Sequence, residues 1–185
     1  MKDVRTLCKI LLVISAGLYS TPLLATQALS QTEATVTSIQ PPRLIAARTT
    51  YNEVQVRQAM YYFTLEVPTT AKELQQVTFT QTQGSESICF DENNSHAFEG
   101  TSKRKGQPLE SKLTSDRQNK TVTVTFAQPV PAGKTVTIGL KPERNPTYDG
   151  IYLFQVRTFP AAGQSNGQYI GTGRLQFYQN ISSDS

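Results

Sequence analysis

Apolar residues recur at every second position in much of this chain, and that period limits the fold more than any other feature. Val77-Thr-Phe-Thr alternates apolar and hydroxyl residues. Thr121-Val-Thr-Val-Thr-Phe repeats the pattern with Val122, Val124 and Phe126, and Thr135-Val-Thr-Ile-Gly-Leu repeats it with Val136, Ile138 and Leu140. Successive side chains of a strand point to opposite faces, and β-branched Val and Thr suit a pleated, half-buried surface. Each segment therefore reads as an antiparallel strand with one wet face. Tyr61, Phe63, Leu65 and Val67 line one face of an earlier strand, and Tyr169, Leu175 and Phe177 one face of the last. Ile151-Tyr-Leu-Phe-Gln-Val starts apolar on both faces, which places it centrally in a sheet.

The punctuation agrees. Pro129, Pro131 and Gly133 break the chain before 134, residues 116–119 suit a hairpin turn, and 142–150 and 160–167 are loops by their Pro, Gly and Asn content. The one helical hint is Thr69-Thr-Ala-Lys-Glu-Leu, a hydroxyl ahead of Glu73, which allows at most one short helix near 69–74. The expectation is an all-β, antiparallel β-sandwich of Ig-like architecture with about seven or eight strands over 41–179. Residues 29–40 and 180–185 are expected to be a loose N-terminal segment and a loose tail.

The first thirty residues bear on compartment. Lys2, Arg5 and Lys9 precede an apolar run from Ile10 to Ala16, and small residues follow at Ala25, Thr26, Ala28 and Ser30. This is the pattern of a secretory signal peptide, a short leader helix over 1–28 with cleavage after Ala28. Gly17, Ser20 and Pro22 interrupt it too early for a spanning helix of about 20 residues, so no membrane span is expected in the mature chain. Two of the four net positive charges leave with the leader, since Asp3 offsets one of its three cations. What remains is too weakly basic to indicate nucleic acid as a partner. Cys8 leaves too, so Cys89 has no internal partner, and Ile88 and Phe90 beside it predict burial. A periplasmic or extracellular location follows.

Six blocks then follow one another in order: PPRL (41–44), YYFTLEVP (61–68), VTFTQTQGSESICFDENNSHAFEG (77–100), PVPAGKTVTIGLKPERNP (129–146), GIYLFQVRTFPA (150–161) and GQYIGTGRLQFY (167–178). Together they resemble a cyanobacterial family known as domain of unknown function 2808, over about 41–178. The resemblance implies a secreted or periplasmic single-domain protein from a cyanobacterium. The family has no assigned activity, so it lends no catalytic residue.

Catalytic chemistry has little to build on. The single histidine, His96, lies in a polar stretch, and no Gly-x-Ser-x-Gly elbow is present. Asp91, Asn93 and Ser95 alternate as in a calcium loop, but His96 stands where glycine is needed and Ser102 where the closing Glu belongs. These residues are equally what a turn requires. No cofactor and no metal site is expected. An envelope hydrolase or metal-binding protein around His96, Asp91 and Glu92 is the alternative, and a module that self-associates through an open sheet edge is a third reading.

Charge is more informative. Residues 85–99 hold Glu86, Asp91, Glu92 and Glu99 with no Lys or Arg, whereas 101–120 hold six cations against Glu110 and Asp116. Gly100-Thr-Ser-Lys-Arg-Lys-Gly reads as a basic loop in which Lys103, Arg104 and Lys105 are offered to an anion. The competing expectation is a solvated loop whose charges pair weakly with the acidic segment. Tyr51, Tyr148, Tyr169 and Tyr178 can stack on sugar rings if they share a face, while Tyr61, Tyr62, Tyr152 and the phenylalanines are expected in the core. Gly171 and Gly173 suggest a bulge or a close backbone approach. The leading expectation is a non-enzymatic binding or scaffolding module of the cell envelope, with an acidic polysaccharide or an envelope protein as partner.

Overall fold

Ten strands carry the alternation seen in the sequence: β1 (Arg43–Thr49), β2 (Tyr61–Glu66), β3 (Leu74–Gln83), β4 (Phe90–Thr101), β5 (Arg104–Leu109), β6 (Ser111–Asp116), β7 (Thr121–Val130), β8 (Thr135–Pro142), β9 (Gly150–Pro160) and β10 (Gln168–Phe177). The structure is a computed structural model that describes residues 38–161 and 167–179. The expected leader, its cleavage after Ala28, most of the expected loose segment and the expected tail lie outside the described residues. Two antiparallel five-stranded sheets form, ordered β1-β2-β8-β4-β5 and β10-β9-β3-β7-β6. They face each other as a sandwich, with β1 over β10 and β4 over β6.

Inward rows from both sheets make the core. Tyr61, Phe63, Leu65, Val77, Phe79, Val122, Val124, Phe126, Val136, Ile138, Leu140, Tyr152, Phe154 and Val156 are all buried, as the period of two requires. Rings link the layers: Phe63 lies 4.7 Å from Phe79 and 5.7 Å from Phe154, and Tyr152 lies 5.5 Å from Phe177. A Cβ on Gly173 would sit 2.5 Å from Cε1 of Phe63 and 3.0 Å from Cβ of Ala47. Gly173 therefore marks a close approach of β10 to the facing sheet.

Several expectations need correction. The described residues form ten strands instead of seven or eight, and the additions are β1, β4 and β5. β4 escapes the alternation test because its pairing with β8 shifts between Asp91 and His96, with the four polar residues Glu92, Asn93, Asn94 and Ser95 between them. β5 is an edge strand with a partner on one side only, and its Lys, Gly and Pro are what such edges carry. The short helix allowed near 69–74 is a single turn closed by the Ala71 N–H on the Pro68 carbonyl, 2.9 Å, and Leu74 already opens β3. β9 is interior, between β10 and β3, but β3 holds the centre. Tyr169 does not share the inner face with Leu175 and Phe177: the β10 register shifts between Tyr169 and Gly171, which turns Tyr169 outward at 45% exposure.

Register fixes the two ends. Phe90 pairs with Pro142 and Glu99 with Val136, so the β4–β5 turn and the β8–β9 loop lie at opposite ends of the first sheet. Between β5 and β6 the chain crosses from one sheet to the other at Glu110, whose carbonyl accepts the Ala127 N–H at 2.9 Å.

Candidate functional site

The basic residues sit on a hairpin, not on a free loop. Thr101 pairs with Arg104 across a two-residue turn, so Lys103 occupies the turn while Arg104 and Lys105 open β5. The Arg104 N–H donates to Oγ1 of Thr101 at 3.2 Å. Gly100, at φ 92°, is required here, because a Cβ would stand 2.3 Å from the Arg104 carbonyl oxygen. The glycine thus tightens the turn.

Lys105 is braced on an aromatic shelf that sequence reasoning missed. Its Nζ lies 5.5 Å from the Tyr62 ring centroid and 5.4 Å from that of Phe98. Ala97 pairs with Ile138 on the inner side, which turns Phe98 to the outer face opposite Thr137. Phe98 is nonetheless only 4% exposed. Tyr62 meets it edge-on at 6.2 Å and His96 stacks on it at 5.8 Å. Gly139, the β8 residue paired with both Tyr62 and His96, leaves room for their side chains; a Cβ there would be 3.0 Å from Cε1 of Tyr62. Tyr62 is accordingly a half-buried outer residue and not core, and His96 is an exposed strand residue and not a loop residue. Below the shelf the Thr64 and Thr137 hydroxyls are 2.9 Å apart, and Thr137 donates to the Gly100 carbonyl at 2.7 Å.

The neighbouring carboxylates are engaged elsewhere. Asp91 accepts from the Asn93 and Asn94 backbone N–H groups at 3.0 and 3.2 Å and from Nδ2 of Asn94 at 2.6 Å. The Asn94 side chain, aided by those amides, holds the Asp91 carboxyl below the usual range. Glu92 accepts the Ser115 N–H at 2.8 Å, and Glu99 pairs with Lys134 at 3.1 Å. The other ion pairs among the described residues are Arg43–Glu66 and Arg117–Glu143. Lys103, Arg104 and Lys105 take part in none of these pairs. The acidic and basic segments, adjacent in sequence, therefore do not neutralise each other at ion-pair distance.

The alternative centred on His96, Asp91 and Glu92 gains no support from geometry. Each makes its own local contact, and no hydrogen bond among the described residues joins His96 to a carboxylate. Cys89 is half-buried, less than expected, and lies in the β3–β4 loop.

The opposite end holds a polar knot around Asn145, which is fully buried. Its Nδ2 donates to the Tyr51 carbonyl at 3.0 Å and to the Glu53 carbonyl at 2.7 Å, while Oδ1 accepts the Tyr61 hydroxyl at 2.8 Å. Burial first, and then the neighbouring Tyr152 and Glu86, push the Tyr61 hydroxyl far above its usual range, so it stays a donor. The Tyr152 hydroxyl donates to the Tyr148 carbonyl at 3.1 Å, and Glu86 accepts the Thr147 N–H. The Tyr178 N–H donates to the Asn52 carbonyl at 2.8 Å, and the Tyr178 carbonyl accepts the Val54 N–H at 3.0 Å. Of the four tyrosines singled out by sequence, Tyr51, Tyr148 and Tyr178 lie at this end, and Tyr169 lies at the other.

Comparison with known proteins places the chain by family. A family model described as Protein of unknown function (DUF2808) matches residues 34–177. No curated protein matches the chain. Among solved structures, BslA, a bacterial hydrophobin, is similar at TM-score 0.48 and 16% identity, covering 77% of this chain and 98% of its own. The collagen-binding domain of a Staphylococcus aureus adhesin is similar at TM-score 0.38 and 8% identity, covering 65% and 87%. The RrgA Jo.In complex is similar at TM-score 0.41 and 10% identity, covering 76% and 78%.

Proposed function

We propose, for a chain that belongs to the DUF2808 family of proteins of unknown function, a role as an exported, non-enzymatic binding module of the cell envelope. Its ligand is an acidic polysaccharide, held by Lys103, Arg104 and Lys105. The observation that carries this reading is the set of three consecutive cations on one tight hairpin, none in an ion pair among the described residues and one braced over two rings. A cation on an aromatic face keeps its charge while losing conformational freedom, so less entropy is lost when an anion arrives. Arg104 adds a planar fork suited to carboxylate or sulfate oxygens. The signal-peptide pattern of residues 1–28 supports export, and the hairpin lies at one end of the sandwich.

The test is retention of the mature protein on an anionic polysaccharide matrix across a salt gradient, beside the variant with Lys103, Arg104 and Lys105 all changed to Ser. Wild type should elute late and the variant early, with little dependence on salt. Removing Lys105 from its shelf costs about 0.5–1 kcal/mol, so a melting curve must accompany the column run. Equal elution of two folded proteins would leave the hairpin as ordinary surface.

A further inference from the structure

Three exposed tyrosines from three separate segments converge at the end of the sandwich away from the hairpin. Tyr51 follows β1, Tyr148 lies between β8 and β9, and Tyr178 follows β10, at 46%, 57% and 51% exposure. Exposed rings on loops are common, but here the backbone beneath each is tied down. The Tyr51 carbonyl is held by Asn145, the Tyr148 carbonyl by the buried Tyr152 hydroxyl, and Tyr178 by a two-way backbone exchange with residues 52 and 54. The Gln55 N–H on the Pro146 carbonyl, 2.9 Å, joins the Tyr51 and Tyr148 loops directly.

We propose that this end is a second binding surface, for a neutral, hydroxyl-rich polysaccharide whose sugar rings lie on Tyr51, Tyr148 and Tyr178. A tyrosine has an apolar face for the C–H side of a pyranose, a hydroxyl for its polar rim, and only two side-chain torsions to fix. With the backbone already held, binding orders little beyond those torsions. Charge selects a neutral ligand. The exposed charged residues of the two loops are Glu53, Arg57, Glu143, Arg144 and Asp149, and Glu143 is paired with Arg117. Glu53 and Asp149 against Arg57 and Arg144 leave no net field to draw in an acidic polymer, and all four can hydrogen-bond sugar hydroxyls. This surface is independent of the cationic hairpin and shares no residue with it.

The experiment is affinity electrophoresis of the mature protein in native gels containing hydroxyethyl cellulose, xyloglucan, galactomannan or dextran, with alginate as the acidic comparison. At least one neutral polymer should retard the wild type, and the retardation should persist at high salt. Changing Tyr51, Tyr148 and Tyr178 together to Ala should weaken that affinity by about tenfold or more, taking the low end of what a packed aromatic contributes. The same three changed to Phe should keep it, since the ring faces remain, and the single change Tyr148→Ala gives a milder variant should the triple one melt early. The hairpin triple-Ser variant should be retarded as wild type by the neutral polymer and lose only its response to alginate, which separates failure of the one surface from failure of the other. No retardation by any of the four neutral polymers, or equal retardation of a folded triple-Ala variant, overturns the proposal. So does a wild-type response to envelope protein extract that the tyrosine changes abolish while no neutral polymer responds, which would make this end a protein-docking surface.

Discussion

Asn145→Ala is the sharpest probe of how this domain holds its loops. The substitution removes three hydrogen bonds at once, to the Tyr61 hydroxyl and to the Tyr51 and Glu53 carbonyls. Tyr61 is fully buried, so its orphaned hydroxyl costs about 1–3 kcal/mol. The two carbonyls belong to exposed residues that water can reach, so each lost bond costs about 0.5–1 kcal/mol. The total is about 3 kcal/mol, which at about 3 °C per kcal/mol lowers the melting midpoint by roughly 10 °C. Differential scanning calorimetry measures this directly. Tyr61→Phe removes one of the same three bonds and should cost about 1–2 kcal/mol, and the double variant should fall short of the sum because both changes break one contact. Amide exchange gives a local readout: the Val54 N–H, bonded to Tyr178, should lose protection in Asn145→Ala well before core amides of β3 or β8 do. A midpoint within about 2 °C of wild type, an effect no larger than that of ordinary surface changes, would refute the knot as a structural element.

Three further expectations are simpler to test. Gly173→Ala should destabilise by about 1–3 kcal/mol, since its Cβ meets the buried Phe63 ring, and chemical denaturation giving wild-type stability would mean that β10 lies farther from the facing sheet. The Asn94 and Asn119 side chains hold the Asp91 and Asp116 carboxyls below their usual range, so these groups add stability above an unfolded value of about 3.9 and lose it as pH falls through the folded value. The Asp91→Asn, Asp116→Asn double variant should therefore show a shallower loss of stability in acid, and parallel acid melts would contradict this. Protein recovered outside the cytoplasm should begin after Ala28, and mass spectrometry finding Met1 on that material would remove the leader.

What could be read from the sequence was what depends on near neighbours. Thr121 to Phe126 and Thr135 to Leu140 declare their inner faces because a half-buried strand needs side chains of alternating polarity. Both inner rows are buried as expected, but the outer face of Thr135 to Leu140 is not wet, since Thr137 is fully buried. β5 could not be recognised, because an edge strand bonded on one side tolerates the Lys, Gly and Pro that otherwise mark a loop. Phe98 was illegible for a different reason. Alternation places it on the outer face, but that face is covered locally by Lys105, Tyr62 and His96, which no period reports. The Asn145 knot lies farthest from view, since its contacts reach 84 to 94 residues along the chain. An asparagine between Arg144 and Pro146 reads as turn material until the fold closes around it.

The strand order also sets a timetable. β8 lies between β2 and β4, and β3 between β7 and β9, so neither sheet can close until its late strands are available. A chain synthesised or threaded from its N-terminus must keep β4 without its main partner until residue 142 has emerged, and β3 until residue 160 has. Such non-local pairing slows folding and leaves strand edges open to other chains in the interval. Under the export proposed above, in which the chain crosses a membrane as an unfolded thread, this delay would be an advantage. A domain exported in that way would not lock early on the wrong side, and would complete itself only where its last third arrives.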